Sequence, residues 1–248
     1  MKTNINKKLE QLSQTNEIEI LFAVESGSRA WGFASPDSDY DIRFVFKHKS
    51  EWYLNLWEQK DTLEFMTKED LDGSGWDIKK TCKLMAKSNV SVFEWLFSPI
   101  VYQSNEIILK ELQTIAQYQF NPVAGFYHYH SMSQRFESSF TDNSMTLKHF
   151  FYALRSTLCA EWIIKEETIP PVPFKDLLIN IPSNIKSEID KLIIIKSTSL
   201  ESDKYDINVE LIDFVQQKIK ENDNNRNAII NKKPNHDLFN QFFKKTIL

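Results

Sequence analysis

Residues 27 to 41 read GSRAWGFASPDSDYD, and the segments on either side decide the fold. Upstream, Glu17 to Val24 (EIEILFAV) is rich in isoleucine, phenylalanine and valine, which favour extended structure. Downstream, Tyr40 to Phe46 (YDIRFVF) alternates well enough for a second strand. A strand therefore runs into Gly27-Ser28, ten residues intervene, and Asp39 and Asp41 open the next strand. Successive strand residues alternate faces, so these two aspartates point the same way. At about 6 Å and an effective dielectric near 20, two such charges repel by roughly 2 to 3 kcal/mol. A divalent cation between them removes that cost, and Mg²⁺ is usually held by a few carboxylate oxygens with phosphate completing the shell. Gly27 and Ser28 suit the phosphate: a small residue admits it to backbone N–H groups, and a helical turn starting there adds a favourable partial charge. The chain has only five glycines, and Gly27 and Gly32 both fall in this window. A lone Asp-x-Asp is commonly a solvated turn. Gly-Ser, ten residues and Asp-x-Asp between two strands is far more specific.

This constellation resembles the DNA polymerase beta-like nucleotidyltransferase superfamily. More narrowly, ESGSRAWGFASPDSDYDIRFVF, GWDIKK and KSNVSVFEWLFSPIVY resemble the RNA repair pathway polymerase-beta group of nucleotidyltransferases. The likeness is good over residues 20 to 102 and continues weakly through KHFFYALRSTLCAEW and PPVPFKDLL. It implies a two-metal nucleotidyl transfer domain followed by a helical domain. It also implies a third carboxylate on a neighbouring strand, for which the candidates are Glu64, Asp72 and Asp77. Asp77 is favoured because GWDIKK matches the group best, although an acid there also suits a helix start. Glu25 is either an outer support of the site or a polar strand end.

Working outward, Ile5, Leu9 and Leu12 mark a short amphipathic helix over Ile5 to Gln14. Asp61 to Met66 reads as a third strand, Asp72-Gly73-Ser74-Gly75 as a turn, and Trp76 to Ser88 as a helix. After Ser98-Pro99 the pattern is helical: Glu106 to Gln117, Pro122 to Phe140 and Met145 to Lys165, then further helices near 185–196, 209–221 and 236–243. The expectation is an α/β (α+β) nucleotidyltransferase fold with a small mixed sheet in residues 1–102, then an all-helical C-terminal domain in 103–248.

Lys148, Tyr152 and Arg155 fall at i, i+4 and i+7, on one helix face, and the resembled group carries a matching Lys, Tyr and Arg. They are assigned to nucleotide binding with Gly27, Ser28 and Arg29. Arg43 shares the strand parity of Asp39 and Asp41 and could offset their charge. His128 and His130 splay about 200° apart on a helix, so they do not form a metal pair. Trp31, Trp76, Trp95 and Trp162 read as core.

Composition narrows the class. Thirty Lys and Arg against 34 Asp and Glu give a net charge of −4, without the strongly basic balance of a bulk nucleic-acid binder. Cys82 and Cys159 form no metal or disulfide pattern, read as buried thiols, and fit a reducing cytoplasm. The polar N-terminal residues lack a signal-peptide core, and no apolar run approaches the roughly 20 residues of a membrane span.

These features converge on transfer of a nucleoside monophosphate from an NTP to an acceptor hydroxyl, with pyrophosphate released. Asp39, Asp41 and Asp77 would hold Mg²⁺ or Mn²⁺ in a cleft between the domains. RNA is the acceptor the resemblance implies; a protein or a small molecule is the alternative. The rival of another class is a non-catalytic nucleotide- or RNA-binding module.

Overall fold

A computed structural model describes residues 1–67, 70–138, 140 and 144–248. The chain divides into two compact units. One comprises Met1–Ala30, Asp39–Phe120 and Lys233–Leu248; the other comprises Trp31–Ser38 and Asn121–Lys232. The division differs from a single cut at residue 102. Trp31–Ser38, most of the stretch between Gly-Ser and Asp-x-Asp, belongs with the helical unit, and the last helix returns to the first.

In the first unit, α1 (Lys2–Asn16) leads into β1 (Glu19–Glu25), α2 (Gly27–Trp31), β2 (Tyr40–Lys47), β3 (Thr62–Met66) and β4 (Leu71–Asp77). Next come α3 (Ile78–Ala86), α4 (Val90–Leu96), β5 (Val101–Ser104) and α5 (Glu106–Gln119). The five strands form one mixed sheet in the order β3-β4-β2-β1-β5. In this sheet β2 and β4 run parallel; the other pairs are antiparallel. Ile5 and Leu9 of α1 bury against Ala23, Ile42, Phe44 and Phe46 of the sheet, so the periodicity that marked the helix is also what docks it. The short strand β5, hidden in the sequence beside Ser98-Pro99, pairs with β1.

The segment Asp72-Gly73-Ser74-Gly75 is not a turn. It forms most of β4, which lies between β3 and β2 in the sheet. A Cβ on Gly73 would lie 2.1 Å from the Phe65 ring, and one on Gly75 would lie 2.1 Å from the Phe44 ring. The glycines are there to make room for aromatic rings, not to bend the chain. Trp76 and Asp77 accordingly end the strand, and the helix starts at Ile78 rather than at Trp76.

The second unit is built on α6 (Pro122–Glu137) and α7 (Leu147–Glu166), with α8 (Phe174–Leu177), α9 (Ser183–Lys196) and α10 (Val209–Asn225) around them. Of the helix expected to run to Phe140, residue 139 lies outside the described residues. Asn121, Thr146 and Asn208 each accept a backbone N–H at the start of α6, α7 and α10, as N-caps should. Among the described residues of this unit, the strands are β6 (Ser144–Thr146) and β7 (Lys204–Asp206), which pair as a ribbon and are each too short to show in the sequence. The closing helix α11 (His236–Ile247) belongs to the first unit. Cys82 and Cys159 are buried free thiols, and burial pushes the Cys82 thiol up to about 12. Among the described residues no helix is long and apolar enough to cross a membrane.

Candidate active site

The end of β1 and the start of β2 lie against each other. Ser26 N–H donates to the Asp41 carbonyl at 2.8 Å, and Asp41 N–H donates to Glu25 Oε1 at 2.8 Å. Gly27 comes next with φ +60°, and a Cβ on it would sit 2.2 Å from Asp41 Oδ2. Only glycine lets the backbone turn this way and approach the carboxylate this closely. Ser28 and Ala30 of α2 are buried behind it.

Glu25 is 1% exposed and braces the arrangement. Its carbonyl accepts from Ser98 Oγ at 2.6 Å, and its carboxylate accepts from the Tyr102 hydroxyl. Burial pushes its carboxyl above the usual glutamate value, against the lowering effect of the Tyr102 hydroxyl and the Asp41 N–H. Of the two roles open to Glu25, support of Asp41 is the one the geometry shows.

In the parallel pairing of β2 with β4, Asp41 stands directly opposite Asp72 and Arg43 opposite Ser74. A single guanidinium nitrogen, Arg43 Nη2, lies 2.7 Å from Asp41 Oδ1 and 2.8 Å from Asp72 Oδ2. Arg43 Nη1 also donates to the Asp72 carbonyl at 3.0 Å. Arg43 thus offsets charge, as its parity suggested, though the second carboxylate it holds is Asp72 rather than Asp39. Asp39 precedes β2 and is exposed; its carbonyl accepts from Arg29 Nε at 3.0 Å, while the Arg29 guanidinium lies 3.9 Å over the Tyr40 ring.

Asp77 is not brought to this place. It closes the opposite end of β4, five residues or about 16 Å along the strand from Asp72, and an odd step puts it on the other face. It is fully buried. Its Oδ1 accepts from Lys79 N–H at 2.8 Å, capping α3, and its Oδ2 accepts from the Tyr53 hydroxyl at 2.8 Å. Burial pushes its carboxyl above the usual aspartate value. The helix-start role is therefore the one Asp77 fills, and Asp72 is the carboxylate on the neighbouring strand. Glu64 lies on the edge strand β3 opposite Ser74, one strand further from Asp41.

Lys148, Tyr152 and Arg155 do share a face of α7, but it is largely occupied. Lys148 Nζ lies 2.6 Å from Glu201 Oε2. The Tyr152 ring stands edge-on to Trp31 at 5.0 Å. Arg155 is only 3% exposed; its guanidinium covers Trp31 at 4.3 Å, and Nη2 donates to the Val172 carbonyl at 3.3 Å. In this structure Arg155 is packed against the protein rather than presented to a ligand. What the face organises is the stretch from Trp31 to Ser38. Buried Lys196 donates to Ser35 Oγ at 2.7 Å, Ser38 Oγ donates to Glu201 Oε1 at 2.7 Å, and Glu201 N–H donates to Asp37. Nothing in the sequence marked Lys196 or Glu201, which meet this stretch only through the fold.

Among the described residues no three His, Cys, Asp or Glu side chains converge as a finished metal cage. The donor chemistry still fits a hard divalent cation, because Mg²⁺ is commonly held by one or two carboxylates and takes its other ligands from substrate phosphate and water. Asp41 and Asp72 supply such oxygens side by side, and Asp39 adds a third carboxylate nearby in sequence.

A family model described as RlaP, the RNA repair pathway DNA polymerase beta family, matches residues 1–245. The chain belongs to that family. The description points to a polymerase beta-type nucleotidyltransferase connected with RNA repair. The chain is also 39% identical over 196 residues to the Bacillus subtilis (strain 168) protein named Uncharacterized protein YcgL, covering 78% of this chain and 75% of that one.

Proposed function

We propose that the protein transfers a nucleoside monophosphate from an NTP to an acceptor hydroxyl, with Asp39, Asp41 and Asp72 as the metal-holding carboxylates. The acceptor oxygen attacks the α-phosphorus, the bond to the departing pyrophosphate breaks, and the hydroxyl proton is lost. The observation that carries this reading is the approach of Gly27 to Asp41 Oδ2, with Asp72 in register beside Asp41. A backbone with a left-handed glycine is held against one carboxylate, and a second carboxylate is fixed by the strand pairing.

Bound Mg²⁺ or Mn²⁺ would neutralise triphosphate charge and make the acceptor hydroxyl a better nucleophile. The chain itself supplies position. Glu25 pins the Asp41 backbone through its N–H, and Arg43 holds one oxygen each of Asp41 and Asp72. Gly27 and Ser28 supply the small residues against which a phosphate can lie. RNA is the acceptor that the family description favours, with a protein or small-molecule hydroxyl as the other classes.

Incubation with each α-labelled NTP, Mg²⁺ or Mn²⁺, and separately RNA, protein and small-molecule acceptors tests the reading. Label should pass to one acceptor class, and Asp39→Asn with Asp41→Asn should abolish transfer while the fold survives. Wild-type turnover in that double variant would overturn the metal assignment.

One observation favours a second reading, a non-catalytic nucleotide- or RNA-binding module. Arg43 already neutralises part of the Asp41 and Asp72 charge, so these acids need no cation to coexist. If nucleotide binds without any metal requirement and no acceptor is labelled, this second reading holds.

A further inference from the structure

The residues Ile78 to Lys87 (IKKTCKLMAK) contain four lysines and no acid, in a chain whose net charge is −4. Lys80 is paired with Asp61 at 2.9 Å. Lys79, Lys83 and Lys87 are exposed. They stand at intervals of four along α3 and its C-cap, so they form a row that drifts by only about 40° per step and rises by about 6 Å per step. Three like charges in one row repel each other, a cost that the helix C-terminus offsets at Lys83 and Lys87 but not at Lys79.

Aromatic surface lies along this row. Lys79 and Lys83 line a hollow of 260 Å³ together with Trp52 and Trp57, and the Trp57 indole is 78% exposed. On the other side, Lys79, Lys83 and Lys87 line a second hollow of 540 Å³ with Phe239 and Phe243 of α11. The acids lining the first hollow are Glu58, Asp61 and Asp77, of which Asp61 is held by Lys80 and Asp77 is buried.

We propose that the Lys79–Lys83–Lys87 row and the Trp57 indole together dock single-stranded nucleic acid. Evenly spaced ammonium groups complement successive phosphates of an extended strand, and an exposed indole offers a base a stacking partner. The row spans only about 12 Å, two or three phosphates, and stacking needs an unpaired base. The stacking requirement selects a single strand over a duplex. The binding stands apart from the nucleotidyl transfer proposed above; only its use in presenting an acceptor end rests on that reading.

The test is anisotropy of a fluorescein-labelled 12-nucleotide single-stranded RNA with the full chain over a salt series. Lys79→Gln, Lys83→Gln and Lys87→Gln together should weaken binding at least tenfold. They should also lower the log–log salt slope by about 2, the loss of three phosphate contacts on a single strand. The charge-matched control Lys7→Gln, Lys110→Gln and Lys186→Gln should stay within twofold of wild type. Trp57→Ala should weaken binding at least about fivefold with the salt slope unchanged. Absence of wild-type binding, or equal losses in the two triple variants, overturns the proposal. So does displacement of the RNA by polyglutamate of matched charge with Trp57→Ala neutral, which would mark an acidic-protein surface. Label transfer is scored separately: RNA binding without transfer to any acceptor sinks only the enzymatic reading, and transfer without binding at this row sinks only this one.

Discussion

The two ends of β4 each carry an aspartate, and the two could hardly be used more differently. At one end, Asp72 is half-buried, in register with Asp41, and held to it through Arg43. At the other, Asp77 is sealed from solvent, caps α3 and accepts the Tyr53 hydroxyl. The first acid keeps oxygen lone pairs where a ligand can reach them. The second spends its own on the fold. Residue type is the same at both ends; strand parity and the element that adjoins each end decide the role.

The sharpest way to break this contrast is to change both ends and measure turnover. Asp72→Asn should lower nucleotidyl transfer by on the order of 10²-fold, as expected for removing one electrostatic contact to the transition state. Asp77→Asn should stay within about threefold. If Asp77 proves essential and Asp72 dispensable, the two ends have been assigned the wrong way round.

A substitution beside the first end sharpens the comparison without removing any charge. Gly27→Ala would put a Cβ 2.2 Å from Asp41 Oδ2, so the carboxylate must move. Turnover should fall by on the order of 10²-fold, the scale of a roughly 1 Å misplacement. Stability should fall by about 1 to 2 kcal/mol from the left-handed backbone. Normal activity with a stable fold would show that the close approach has no catalytic use.

The order should reverse for stability. Asp77→Ala loses an N-cap and leaves the Tyr53 hydroxyl without its acceptor, for about 1 to 3 kcal/mol in denaturant unfolding. Asp72→Ala, half exposed, should cost less than about 1 kcal/mol. Equal losses at both ends would erase the distinction.

The smallest effect is in pH dependence. Burial raises the Asp77 carboxyl above its unfolded value of about 3.9. The folded state therefore binds that proton more tightly, and this contribution to stability is present below the unfolded value and lost as pH rises through the folded one. Asp77→Asn should remove that loss, so its melting temperature relative to wild type should rise from pH 3 toward neutrality. A difference that is flat with pH, or that falls, would contradict a raised Asp77.

These two acids also show where sequence reading works. The approach of Gly27 to Asp41 was legible because its meaning is local: a strand, small residues, then an acid at the start of the next strand, whereas Asp39 falls just before that strand. Asp72 and Asp77 were not legible, because DGSG has the composition of a turn. Only the rings of Phe65 and Phe44, which reach these positions from the neighbouring strands, explain why glycines sit in a strand. With DGSG in a strand, the helix starts at Ile78, two residues later than composition suggests, and Asp77, favoured through the likeness of GWDIKK to the resembled group, falls at the helix cap. The Lys148, Tyr152 and Arg155 face was legible as a face, but its partners Trp31 and Glu201 lie more than 45 residues from the helix residues they meet.

The return of α11 to the first unit has a consequence for how the protein is made. Lys47 Nζ bonds to the Thr246 carbonyl at 2.9 Å, and Ser50 Oγ bonds to the Ile247 carbonyl at 2.5 Å. Those carbonyls are synthesised some 200 residues after their donors. On the ribosome, the sheet that carries Asp41 and Asp72 can begin to form early, yet it waits through translation of the whole second unit for its closing helix. Nascent chains stalled before residue 236 should therefore expose the α3 side that α11 covers.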